Sequence, residues 1–137
     1  MSDHDIAAEW LKIAYDDYDS ASFLFENKYP KPLEIICYHC QQSVEKALKA
    51  YLCANNTEIP KTHDAGLLCM RCADLDIEFA DYQETCEEMV VYATHTRYPI
   101  RIKIEECNAS RVLKQASELY SFVYDKIITK HQQDIDG

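Results

Sequence analysis

From Leu33 to Tyr51 the apolar residues Leu33, Ile36, Cys37, Cys40, Val44, Ala47, Leu48 and Tyr51 recur every three or four positions. At 100° per residue they span roughly a 120° arc, as in a helix with one face in a core. His39, Gln42, Lys46 and Lys49 gather on another face, each a turn from the next. This helix opens at Pro32, suited to a first turn, and runs to about Ala54. Before it, Ile6, Trp10, Ile13, Ala14, Ala21 and Leu24 mark a helix from about Asp5 to Asn27, capped by Ser2 or Asp3. After the loop of residues 55–60, Thr62 or Asp64 caps a shorter helix from about His63 to Leu75, with Leu67, Leu68, Met70 and Cys72 on its apolar side. Phe79, Tyr82, Cys86, Met89, Val90 and Ala93 predict a fourth helix to about Thr96. Tyr98 precedes Pro99 and is pushed out of helical geometry. Residues 100–104 read as an exposed connection. A last helix, from about Glu105 to Lys130, turns Ala109, Val112, Leu113, Ala116, Tyr120, Val123 and Ile127 inward. The polar tail from His131 to Gly137 is expected to fray.

The spacing throughout is helical, and only two glycines and four prolines interrupt 137 residues. The expectation is one all-α domain over residues 1–137, an up-and-down bundle of about five helices. No basic segment leading an apolar run opens the chain, and no apolar stretch is long enough to span a bilayer, so a soluble, cytoplasmic protein is expected.

The formal charge of −10 argues against broad, non-specific nucleic-acid binding, which depends on Lys and Arg neutralising phosphate. A local basic site remains compatible with it, and the charge suits a basic partner. Seven cysteines include two CxxC pairs, Cys37/Cys40 and Cys69/Cys72. Both pairs lie in helical pattern without a glycine knuckle, on the apolar stripes, where Cys is a small hydrophobe. Structural zinc needs four converging ligands, so no metal is expected.

One polar residue falls on an apolar stripe. Asp17 lies roughly 20° from Ile6 on the first helix's wheel, and a carboxylate there needs a cation or several donors. Arg97 extends the fourth helix's stripe by a turn and is the expected mate. His63 is open to a local hydrogen-bonding role or a site role.

The order Trp10-Leu11-x-x-Ala14-x-x-Asp17-Tyr18-x-x-Ala21, His39-x-Gln41-Gln42-x-x-Glu45-Lys46-x-Leu48-Lys49-Ala50, Thr62-His63-Asp64 and Thr96-Arg97-Tyr98-Pro99 resembles HEPN domains, the helical domains of higher eukaryotic and prokaryotic nucleotide-binding proteins. The likeness covers about Ala8 to Ile127. It implies a bundle of the nucleotidyltransferase substrate-binding-subunit type that dimerises through its helices. It also implies a partner, a minimal nucleotidyltransferase, in a toxin–antitoxin-like pair, and a nucleotide or RNA as ligand. Asp17, His39, Gln42, Lys46, Lys49, Arg97 and Tyr98 are the binding candidates. Some HEPN proteins are metal-independent ribonucleases carrying Arg-x(4–6)-His. Here no His follows Arg71, Arg97, Arg101 or Arg111 at that spacing, and His95 precedes Arg97. The tyrosine-modification motif Arg-x(4)-His-x-Tyr is missing too. A non-catalytic binding subunit is the expected role; the alternative is a divergent ribonuclease using Arg97 with His95 or His39 at a dimer cleft.

Overall fold

The computed structural model describes residues 2–95 and 103–136, with the backbone alone for Thr94 and His95. Five α-helices follow in order among them: α1 (Asp3–Asn27), α2 (Leu33–Ala54), α3 (Ala65–Leu75), α4 (Gln83–His95) and α5 (Glu106–Asp136). A 3-10 turn (Ile77–Tyr82) joins α3 to α4. No described residue is in a strand. No helix is long and apolar enough to cross a membrane among the described residues.

The helix starts follow from capping chemistry. Ser2 Oγ accepts from Asp5 N at 3.1 Å while Asp5 Oδ2 accepts from Ser2 N at 3.1 Å, a reciprocal box that starts α1 two residues ahead of the expected Asp5. Asp64 Oδ1 accepts from Leu67 N at 3.1 Å and caps α3, while Thr62 Oγ1 accepts from Asp64 N. Asp76 Oδ1 accepts from Glu78 N at 3.0 Å, so residues expected in the fourth helix first wind as the tighter 3-10 turn.

The bundle is built around α2, which is buried on nearly every side. Ile36, Cys37, Cys40, Ala47, Leu48, Ala50 and Leu52 are wholly inaccessible. Sequestering Leu48 and Leu52 contributes about 1.5–3 kcal/mol each. α1 and α5 flank α2, with α3 and α4 closing the remaining side. Cys69, Cys72 and Cys86 join Cys37 and Cys40 in the core as fully buried thiols. Gly66 permits the close approach of α3 to α4, since a Cβ there would lie 2.9 Å from Glu87 Cγ.

Three expectations are corrected. On α1 the expected Ala14 and Ala21 are buried and Trp10 and Leu24 pack against the core, but Ile6 and Ile13 stay exposed, and Ala7, Leu11, Tyr18 and Phe25 turn inward instead. Ala7, Leu11, Ala14, Tyr18, Ala21 and Phe25 alternate at four- and three-residue spacing, a heptad seam in which Ala14 lets the α1 backbone approach Ser43 of α2 closely. Met70 is exposed and Cys69 takes its place in the core. The tail from His131 does not fray but continues α5 to Asp136. Its ring stacks on His4 at 3.5 Å, and Lys130–Asp134 (3.7 Å) and Gln132–Asp136 (3.0 Å) brace successive turns.

Candidate functional site

Rotation of α1 moves Asp17 from the middle of the buried face to its edge, where it meets α2. His39 Nδ1 lies 3.1 Å from Asp17 Oδ1, and Lys46 Nζ donates to Asp17 Oδ2 at 3.0 Å. Lys46 also donates to Gln42 Oε1 at 2.9 Å. Two of the three polar residues spaced a turn apart on α2 thus meet one carboxylate of α1, and Gln42 joins them through Lys46. All are partly exposed: Asp17 18 %, Lys46 21 % and His39 30 % by side chain.

The network does not stop there. Gln42 Nε2 donates to Gln41 Oε1 at 2.7 Å, and Gln41 Nε2 donates to the His63 carbonyl at 3.1 Å. His63 turns its own Nδ1 to Glu45 Oε1 at 2.8 Å, and Lys49 Nζ lies 3.7 Å from Glu45 Oε2. Glu45 is only 2 % exposed and Gln41 is inaccessible, so two polar side chains are buried with their partners supplied. Lys49 belongs to this second cluster and not to the Asp17 one; its ammonium lies 5.7 Å from the Trp10 ring centroid.

Two carboxylate–histidine pairs result, Asp17–His39 and Glu45–His63. An ionised carboxylate only accepts, so Nδ1 of each ring carries the hydrogen and Nε2 is the nitrogen left over. His63 is the more open, at 63 % exposed. Lys46 has three N–H donors and gives two of them to Asp17 and Gln42, leaving one for a ligand. The arrangement thus offers an ammonium N–H, an amide edge and an imidazole nitrogen along one line of α2.

The helical register of α2 foretells the association of His39, Gln42 and Lys46. Gln41 and Glu45 stand in the motif read from the sequence but not among the binding candidates, and their burial was not foreseen, because a polar residue inside an apolar helix carries no mark of burial in sequence. His63, open in sequence to a local hydrogen-bonding role or a site role, is hydrogen-bonded to Glu45. Arg97 and Tyr98, with the expected Asp17–Arg97 pair, lie outside the described residues. His95 ends the α4 backbone. Among the described residues no group of three or more His, Cys, Asp or Glu could hold a metal ion.

Comparison with known proteins places these residues in context. The family model described as HEPN domain matches residues 7–128. The crystal structure of ST0689, an archaeal HEPN homologue, superposes with a TM-score of 0.68 at 24 % identity, covering 88 % of this chain and 97 % of that one. No curated protein matches.

Proposed function

The chain belongs to the HEPN domain family, and from that premise we propose that it is a non-catalytic nucleotide-binding subunit. Its partner in this reading is a minimal nucleotidyltransferase, in a toxin–antitoxin-like pair, with the HEPN protein acting as a homodimer. The observation that carries the reading is the His39–Gln42–Lys46 line, fixed from beneath by Asp17 and still partly open. Such a line suits a phosphate or base edge: a spare ammonium donor, an amide and a ring nitrogen held in place before the ligand arrives. The missing Arg-x(4–6)-His spacing supports a binding role over catalysis.

One observation favours a second reading, a metal-independent ribonuclease acting at a dimer cleft. Asp17 orients His39 as a carboxylate orients a catalytic histidine, leaving Nε2 free for proton transfer.

Thermal shift with ATP and GTP separates these readings when run beside incubation with single-stranded RNA. Binding raises the melting temperature with the logarithm of ligand over Kd, and Lys46→Ala is expected to remove the shift. Intact RNA with a Lys46-dependent shift sustains the binding module. RNA cleavage lost in His39→Ala transfers the assignment to the ribonuclease, and neither result would leave the Asp17–His39–Lys46 cluster a structural fastening. Co-purification with a nucleotidyltransferase tests the partner.

A further inference from the structure

A cleft of about 500 Å³ opens where the C-terminal end of α2 meets the exit of α3 and the C-terminal half of α5. From His39 to Tyr51 the axis of α2 rises roughly 18 Å, so this cleft is separate from the His39 site. Tyr51 and Phe122 supply aromatic surface; Asp76, Asp125, Lys126 and Lys130 supply charge.

The wall itself carries two carboxylates and two ammonium groups, but both ammonium groups are drawn to carboxylates other than Asp125. Lys126 Nζ lies 2.8 Å from Asp76 Oδ2 and 2.6 Å from Glu78 Oε2, and Lys130 Nζ lies 3.7 Å from Asp134 Oδ2. Two ammonium groups are thus already committed to three carboxylates. Asp125 adds another carboxylate to the wall, and no described cation pairs with it. An anion entering here would find both lysines taken and an unpaired carboxylate facing it.

Tyr51 gives a second, independent indication. The residue is 6 % exposed, yet its hydroxyl makes no hydrogen bond to any described residue. Since no buried side-chain oxygen or nitrogen is left unpaired among the described residues, that hydroxyl opens on the cleft it lines. Burial and the Asp76 charge push its pKa up, so it remains an O–H whose oxygen can accept from a ligand. The Phe122 ring already has the Lys126 ammonium 5.5 Å from its centroid, which shows that its surroundings suit a cation.

We propose that this cleft binds an organic cation, an alkylammonium or guanidinium group, through the Asp125 carboxylate and the Tyr51 hydroxyl, with Phe122 as the apolar wall. Such a group comes either from a free polyamine or from a basic side chain of a partner protein. Calorimetric titration with spermidine and with N-acetyl-arginine amide distinguishes them, run at about 0.15 M salt so that long-range attraction to the acidic chain is screened. A heat with either compound and one-to-one stoichiometry is expected, and the tighter ligand identifies the source. Asp125→Asn should weaken binding about tenfold, the loss of one charge-assisted hydrogen bond. Tyr51→Phe should weaken it several-fold, roughly the loss of a neutral one. Asp19→Asn, the same charge change on an exposed part of α1, should leave it unchanged. In the unaltered protein, ligand-induced amide shifts should centre on Tyr51, Phe122 and Asp125. No heat with either cation, an equal loss in Asp19→Asn, shifts centred on His39, or displacement by inorganic phosphate would each overturn the proposal. None of these outcomes depends on whether nucleotide binds at His39.

Discussion

Glu45 is the one buried carboxylate among the described residues. It is 2 % exposed, and it anchors Lys49 from its own helix and His63 from the segment leading into α3. Removing Glu45 takes away the acceptor of His63 and the charge beside Lys49, but His63 is open to water, so the cost is about 1–3 kcal/mol. Glu45→Ala is therefore expected to lower unfolding free energy by that order in urea denaturation. Glu45→Gln should cost less, since its amide oxygen can still accept from His63. Ser43 makes a comparable fastening on the opposite side of α2, its hydroxyl donating to the Ala14 carbonyl at 2.7 Å. Ser43→Ala leaves that carbonyl without its side-chain donor and should cost about 1–3 kcal/mol. Ser43 is inconspicuous in sequence, and Glu45, though part of the HEPN-like motif, gives no sign there that it is buried. What the sequence does disclose at this scale is the set His39, Gln42 and Lys46, because helical register alone brings them together.

At the scale of elements, periodicity located every helix and misjudged how one of them is turned. Along α1 the branched residues Ile6 and Ile13 dominate a hydrophobic wheel, yet the face that meets α2 is Ala7, Leu11, Ala14 and Ala21. The sequence pattern places Ala14 and Ala21 on that face but lets Ile6 and Ile13 set its centre, because alanine adds little apolar area to a hydrophobic wheel. Close helix packing selects it for its size. The two orientations make opposite predictions. Ala14→Leu, overfilling a seam where the Ser43 hydroxyl already touches the backbone, should destabilise by about 1–3 kcal/mol or more. Ile13→Ala should stay within about 0.5 kcal/mol, as for surface substitutions generally. Paired chemical denaturation of the two variants measures the difference. The same kind of tertiary information explains the end of α5. Residues 131–136 are polar enough to read as tail, but His131 finds His4 at the start of α1, a contact between chain ends that no local pattern encodes.

The whole molecule is an acidic bundle with a thiol-rich interior, and that combination sets how its stability responds to alkali. Burial pushes the Cys37 thiol up to about 11 and raises those of Cys40 and Cys72 as well. Cys86 is raised too, first by its hydrogen bond with the Cys69 thiol and then by burial. In the unfolded chain each returns to the ordinary thiol value near 9.0. The folded state thus holds protons that the unfolded state releases. Its advantage is complete below pH 9 and declines as the pH climbs toward the folded values. Each such thiol contributes a slope of about −1.4 kcal/mol per pH unit once the unfolded form ionises. The hydrogen bond that raises Cys86 lowers Cys69, so that pair largely offsets itself. Cys37, Cys40 and Cys72 together would remove roughly 4 kcal/mol between pH 9.5 and 10.5, a large share of the typical 5–15 kcal/mol of a domain this size. Tyr51 and Tyr92, both raised by burial, steepen the loss further on. Urea denaturation under reducing conditions across pH 8–10.5 measures the slope. Cys72→Ala should flatten it by about 1.4 kcal/mol per unit, while lowering stability at pH 8 through the lost packing. An alkaline limb as shallow as one thiol's worth would mean that the interior admits water to its cysteines.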